Sequence, residues 1–320
     1  MKTKTIDELR TWAVDKDKFL SLSDFTNFAK EFVAYRANTG FQAELVAANT
    51  PQYRFFQYNE DAGYKLTRPI NTKLYYEADD FDDAVTLFNT ALELVEQQSV
   101  DDISAEHAEA IQRVIYTTQQ SIGAALDAIA TSNRARKVNG DLFERFIGLA
   151  VQCCGVECRS GVVRVPVDDV SGTPFSINYQ HDLMVEVDGD LKAIGSVKTS
   201  SKDRVDKVFL DKYMYTQLTG VPTPHFAIFL NDVQRAGKEP KYRTSNTFLP
   251  GKFKGYTVKL NPLDGVYYCD LLPMMETDPI FERHIDTIDK FFVRDLHAFV
   301  RAAPPARVEK DTEPIVEATD

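Results

Sequence analysis

The chain has 320 residues, 43% of them hydrophobic and 27% charged, with a formal net charge of −11. Such a length and balance predict a soluble globular protein of one elaborated domain or two, and exclude wholesale disorder, a fibrous repeat and a helical membrane protein. The opening MKTKTIDELR has no apolar segment of the secretory type behind it, so cytoplasmic residence is expected.

From Thr5 to Ala130 the pattern is mainly helical: Phe25, Phe28, Ala29 and Phe32 recur at helical spacing, as do Ala84, Leu87, Phe88, Ala91 and Val95. Between these runs, Pro51, Tyr53, Phe55, Phe56, Tyr58 and Tyr64 predict loops or short strands whose aromatics join the core. After Ser104 a long helical stretch carries Ile111, Val114, Ile115, Ile122 and Leu126. The polar, basic run from Thr131 to Lys137 is read as a boundary between a helical N-terminal region, 1–137, and a core, 138–301. A Pro- and acid-rich tail, 302–320, is expected to be disordered.

Within the core, a helix from about Gly140 to Cys153 precedes apolar runs of strand character at 162–167, 182–187, 191–198, 226–230, 256–260 and 265–271. A helix with Val208, Leu210, Tyr213 and Met214 sits among them, and Phe281, Ile285, Ile288, Phe292 and Leu296 mark a closing amphipathic helix. This order predicts an α/β (α+β) class. Cys153, Cys154, Cys158 and Cys269 lack both a disulfide framework and paired zinc spacing, and are read as buried reduced thiols.

Charge is unevenly spread. Residues 192–260 hold 13 Lys and Arg against 5 Asp and Glu, a local balance of +8 that leaves −19 elsewhere. An acidic body with a basic segment suits a protein that meets nucleic acid on one face, and equally suits a solvated loop face.

The chemistry concentrates in Asp182-Leu-Met-Val-Glu-Val-Asp-Gly-Asp-Leu-Lys-Ala-Ile-Gly-Ser-Val-Lys198. A three-residue turn, Asp188-Gly189-Asp190, makes this a hairpin in which Glu186 faces Lys192, Met184 faces Ile194 and Asp182 faces Ser196. Val187 with Leu191, Val185 with Ala193 and Leu183 with Gly195 then form an apolar layer on the other face. In that register Lys198 points to the same side as Asp182. An Asp can hold a hard divalent cation while a neighbouring ammonium stabilises anionic oxygens, although a plain cross-strand ion pair would use the same two residues.

With Lys198-Thr-Ser-Ser-Lys-Asp-Arg204 and Gly140-Asp-Leu-Phe-Glu144 added, the segment resembles the PD-(D/E)xK restriction endonucleases. The nearest branch is the one that reads CCGG- or CCNGG-core sites (BsaWI-like), in which a small residue replaces the second acid before the Lys. An acidic residue on the next helix takes over, and Ser196-Val-Lys198 followed by Asp211, with twelve residues between, matches both halves. The chain departs from the family in having His181 for the Pro before the first Asp, Asp211 for the commoner Glu, and Lys202 for the first Arg of the reading motif. The resemblance spans roughly 140–215 and none of the first 130 residues.

The resemblance implies a mixed sheet flanked by helices and a Mg2+ ion shared by Asp182, Asp211 and the Val197 carbonyl. It also implies that Lys198 orients water and that Glu144 assists as an acid or as ligand of a second ion. Ser200, Lys202, Asp203 and Arg204 would contact DNA, with Arg204 suited to guanine and Asp203 to cytosine; Ser200-x-x-Asp203 also has the form of a helix-capping box. Lys238, Lys241, Arg243, Lys252 and Lys254 are expected to position phosphates or to belong to loops that embrace the duplex. The expected activity is that of a type II restriction endonuclease, a homodimer or possible tetramer cutting duplex DNA at a short palindrome and leaving 5'-phosphate ends. A structure-specific repair or recombination nuclease on the same core and a non-catalytic DNA-binding protein are the alternatives.

Overall fold

The computed structural model describes residues 3–38, 40–59, 65–129, 132–168, 174–301 and 315–318. Tyr64, Thr131 and most of the tail fall outside them. The N-terminal part contains helices α1 (Ile6–Val14) and α2 (Leu22–Ala37), a small antiparallel sheet of β1 (Phe41–Val46), β2 (Tyr53–Tyr58) and β3 (Ile70–Asn71), then α3 (Ala78–Glu96) and α4 (Ala105–Asp127). Capping boxes at Thr5, Ser21 and Ser104 start α1, α2 and α4 by satisfying their free N–H groups. α5 (Ser132–Cys153) leads into β4 (Glu157–Asp168), β5 (Pro174–Val187), β6 (Asp190–Lys198), α6 (Val205–Thr219) and β7 (His225–Phe229). There follow the hairpin β8 (Val233–Lys238) and β9 (Lys241–Asn246), α7 (Pro250–Gly255), β10 (Gly265–Tyr268), α8 (Pro279–His284), β11 (Asp286–Thr287), α9 (Ile288–Lys290), α10 (Leu296–Arg301) and β12 (Ile315–Ala318).

A seven-stranded sheet, in the order β11-β10-β7-β6-β5-β4-β12, forms the centre. It is mixed: β6, β7, β10 and β11 run parallel, while β6, β5, β4 and β12 pair antiparallel. Alternation along the strands gives it two apolar faces. Leu183, Val185, Ala193, Val197, Phe226 and Ile228 share a core with Leu142, Phe143, Phe146 and Ile147 of α5 and with the N-terminal helices. Met184 and Ile194 face Tyr215, and Ala227, Phe229 and Tyr268 pack with Val205, Val208 and Phe209 of α6. Helices therefore cover both faces, and the N-terminal residues share their core with the sheet. Phe25 stacks on Phe146 at 4.8 Å, and Arg145 donates to the Lys16 carbonyl at 2.6 Å, bracing the middle of α5.

Several expectations change in detail. The hairpin closes with a two-residue turn, because Asp188 (φ 52°) and Gly189 (φ 83°) both take the left-handed conformation that such a turn needs. The expected pairing holds for Leu183 with Gly195, Met184 with Ile194 and Val185 with Ala193, then slips at a bulge so that Glu186 meets Leu191 and Val187 meets Asp190. Glu186 is bound from the other side, by both Nε and Nη2 of Arg159 on β4 (2.9 and 2.8 Å), which outweighs a partner in Lys192. Residues 256–260 are helical rather than extended, continuing α7 as a π-type turn that buries Thr257 and sets Tyr256 against Phe209. Tertiary packing overrides their β-branched composition.

The closing helix is broken. Pro279 and the Asp278 cap start α8, Ile285 is extended, Asp286–Thr287 add an edge strand to β10, and the helix resumes at Ile288. Residues 132–137, read as the end of the N-terminal region, form the first turns of α5. Lys238, Lys241 and Arg243 lie on a regular hairpin, β8 with β9. Cys154, Cys158 and Cys269 are buried free thiols, whereas Cys153 is exposed. Among the described tail residues, Ile315–Ala318 pair with β4; the rest of the expected disordered tail lies outside the described residues. No helix among the described residues is long and apolar enough to cross a membrane.

The two sheets are joined by one buried carboxylate. Asp270, just beyond β10, accepts from Tyr53 Oη at 3.0 Å and Asn71 Nδ2 at 2.9 Å. Burial pushes its carboxyl up to about 6 from an ordinary 3.8, against hydrogen bonds that act the other way. A raised folded value means that this group favours the fold when protonated and loses that contribution as pH climbs through 6, by up to about 3 kcal/mol. The melting temperature of Asp270→Asn relative to wild type is therefore expected to rise between pH 4 and pH 7 in parallel scans. A difference that stays flat or falls over that range contradicts this assignment.

Candidate active site

The pairing of β5 with β6 ends at the hairpin's open end with Leu183, and Asp182, the residue before it, has no partner on β6. With no strand partner there, Asp182 Oδ2 accepts from the Val197 amide at 2.9 Å and from Lys198 Nζ at 2.6 Å. The same ammonium donates to Oε1 of Glu144, on α5, at 2.7 Å. Within one extended residue N–H and C=O point to the same edge, so the Val197 carbonyl also faces the gap beside Asp182. The structure thus brings together Asp182, Lys198, Glu144 and Val197 from three elements.

Their electrostatics are mutually dependent. Burial would push the Lys198 ammonium down, but Asp182 and Glu144 outweigh it and hold the group above its usual range. Lys198 is therefore a cation at neutral pH and cannot serve as a base. The Glu144 carboxyl is pushed up, first by burial and then by the charge of Asp182, with Lys198 opposing. His181, beside Asp182, is buried against His225 with ring centroids 6.2 Å apart, and burial drives it down to about 3. Its imidazole is neutral and inward-facing, a strand-end packing residue.

Asp211 reaches the same site from α6. Lys207 pairs with it at 3.0 Å across one helical turn, yet the lysine side chain is 62% exposed and the aspartate only 17%. Burial raises the Asp211 carboxyl, Lys207 lowers it, and the charge of Asp182 raises it again. Two partly buried carboxylates that repel one another beside a main-chain carbonyl are a suitable donor set for a hard divalent cation. Among the described residues no group of three or more His, Cys, Asp and Glu converges to form a cage. Mg2+ binds through one or two carboxylates and keeps several waters, so this set fits it without a third acid.

These groups line a cleft of about 710 Å³. Glu144, Asp182, Ser196, Lys198 and Asp211 line it along with the cations Arg136, Lys137, Lys202, Arg204 and Lys207. Arg136 and Lys137 belong to the run read as a boundary; its functional signal was its charge, and only the extension of α5 brings it to the cleft. Asp141, one helical turn before Glu144, also lines the cleft and pairs with Lys16 at 2.9 Å.

The segment after Lys198 is a turn and not a capped helix start: α6 begins at Val205 after an Arg204 that makes no side-chain cap. Asp203 has φ 56°, and Lys202, Asp203 and Arg204 are all exposed. The Ser200 hydroxyl is engaged internally, donating to Asp232 Oδ1 at 2.8 Å and accepting from the Lys202 amide at 3.1 Å.

No family model matches the chain, and no curated protein matches it. Among solved structures it is similar to that of the type IIP restriction endonuclease Kpn2I, with 16% sequence identity over 94% of this chain and 99% of that one and a TM-score of 0.69. The similarity includes most of the N-terminal part, where the sequence carried no resemblance. At that identity it is a likeness of fold: the mixed sheet flanked by helices has the restriction-endonuclease-like architecture.

Proposed function

We propose that this chain is a type II restriction endonuclease that hydrolyses duplex DNA at a short palindromic site in the presence of Mg2+. The observation that carries this reading is the Lys198 ammonium bonded to both Asp182 and Glu144, with Asp211 beside them, in a cleft bordered by five cations. Acids at the centre and Lys and Arg around them suit a phosphodiester backbone: the acids would hold a divalent cation at the reacting phosphate, and the basic side chains would meet its neighbours. The Kpn2I-like fold supports the same class of activity.

Asp182, Asp211 and the Val197 carbonyl would hold Mg2+, which when bound neutralises phosphate charge and lowers the pKa of a coordinated water. Lys198, fixed as a cation, stabilises the anionic oxygens of the transition state and orients the attacking water. Glu144 holds that ammonium from the α5 side and, with its raised carboxyl, is suited to accept a proton. Attack at phosphorus with departure of the 3'-oxygen leaves 5'-phosphate ends. Arg204 can donate two hydrogen bonds to a guanine edge and Asp203 can accept from cytosine N4, consistent with a CCGG-like core. A palindrome is matched by a two-fold pair of subunits, hence a homodimer.

Three outcomes test this reading. Millimolar Ca2+, a ligand for the same oxygens, is expected to raise the melting temperature of wild type, with the rise lost in Asp182→Asn; equal shifts in both place the cation elsewhere. Lys198→Ala is expected to abolish Mg2+-dependent cleavage while leaving the fold and DNA binding in place, and wild-type rates in that variant would remove Lys198 from the reaction. Asp211→Ala is expected to lose most activity, and adding Ser196→Glu to restore part of it, because Ser196 lines the cleft beside the same metal position. Recovery stays incomplete, since a ligand misplaced by about 1 Å can cost about a hundredfold in rate. Full activity of Asp211→Ala alone contradicts its metal role.

A further inference from the structure

Two exposed cations of the cleft, Lys202 and Arg204, follow Lys198 in a turn whose shape depends on a residue so far without a role. Asp232 lies just past β7 and is completely buried. Its carboxylate accepts five hydrogen bonds among the described residues: Oδ1 from the Ser200 hydroxyl, the Ser201 amide and the Thr247 hydroxyl at 2.8, 2.9 and 2.9 Å, and Oδ2 from the Ser201 hydroxyl and, at 2.8 Å, Tyr268 Oη. A carboxylate has about four lone-pair sites, so this one is saturated and has nothing left for a ligand. Three of its five donors lie on Ser200 and Ser201, between Lys198 and the exposed triplet Lys202, Asp203 and Arg204. The other two come from residue 247, after β9, and from β10, which fixes the carboxylate itself.

The turn it holds is unfavourable alone. Asp203 takes a left-handed φ of 56°, uncommon outside glycine, and the next residue, Arg204, has φ −123° and ψ −28° before α6 begins. Neither Asp203 nor Arg204 packs into the core, so the aim of both side chains depends on the backbone beneath them. We infer that Asp232 is a positioning residue for sequence discrimination: it fixes the 199–204 turn so that Asp203 and Arg204 meet base edges at one angle. The inference rests on the nuclease reading for its consequence, though not for the anchoring itself.

The test uses a pool of random-sequence duplexes cut in Mg2+ with the fragment ends sequenced, alongside trypsin digestion of the native protein. Asp232→Ala removes the acceptor. Asp232→Asn keeps Oδ1 for its three donors and places an NH2 group against two hydroxyls that can turn to accept it. Asp232→Ala is expected to cut sites that differ from the wild-type site by one base pair, lowering discrimination by about tenfold or more, the scale of losing one bidentate base contact. Trypsin should nick it faster after Lys202 and Arg204, and Asp232→Asn should restore both readouts most of the way. A general loss of stability would lower cutting at all sequences alike and leave the ratio unchanged.

Should Asp232→Ala not fold, Ser201→Ala, which removes one donor and keeps the carboxylate, is expected to move both readouts in the same direction by less. A folded Asp232→Ala or Ser201→Ala with wild-type discrimination and wild-type nicking overturns the inference. A wild type that cuts no duplex contradicts the nuclease reading alone, and the trypsin rates then decide whether Asp232 anchors the turn.

Discussion

One shared ammonium sets the layout of this protein's chemistry. Lys198 Nζ is bonded to Asp182 at 2.6 Å and Glu144 at 2.7 Å, so a single positive charge ties together the two strands of the hairpin and helix α5 against them. The three side chains are partly buried at the cleft wall, and each charge is set by the other two. Lys198 stays protonated because it has two carboxylates, and Glu144 stays close to a second acid because the ammonium lies between them. The strands must part at Asp182 for this to happen, and the Val197 amide left free by that parting turns to the same carboxylate.

The rest of the fold keeps that arrangement from relaxing. Phe146 and Arg145 on α5 are gripped by Phe25 and by the carbonyl of Lys16, so the helix that presents Glu144 is held by residues more than a hundred positions earlier. On the opposite face α6 carries Asp211 over Met184 and Ile194, with Tyr215 packed beneath. Two buried aspartates then join distant parts of the chain. Asp270 binds the small N-terminal sheet to the end of β10, and Asp232 binds the turn after Lys198 to β7 and β10. Each satisfies donors that burial would otherwise leave unpaired.

Much of the site was legible because strands repeat every two residues. That period puts Asp182, Ser196 and Lys198 on one side and Leu183, Val185 and Ala193 on the other, and the structure keeps both sets. The slip at Glu186 was not legible, since the arginine that draws it away lies on a strand 27 positions earlier. Glu144 could be proposed only by resemblance, for nothing in the local pattern of α5 distinguishes a carboxylate that meets Lys198 from one that meets water. Asp232 gave no signal: in Leu-Asn-Asp-Val it looks like turn chemistry, and its donors lie 31 and 32 residues before it and 15 and 36 after. Residues 256–260 misled because composition described their local preference while packing decided their conformation.

The central claim is that the cleft cuts DNA at one fixed sequence. Its most direct test is to digest a single plasmid with the wild-type protein and Mg2+ and to sequence every fragment end. The account predicts a discrete set of fragments whose 5'-phosphorylated ends all derive from one short palindrome with a C·G core. Ends scattered over unrelated sequences, or an uncut plasmid at any divalent-ion concentration, would contradict it.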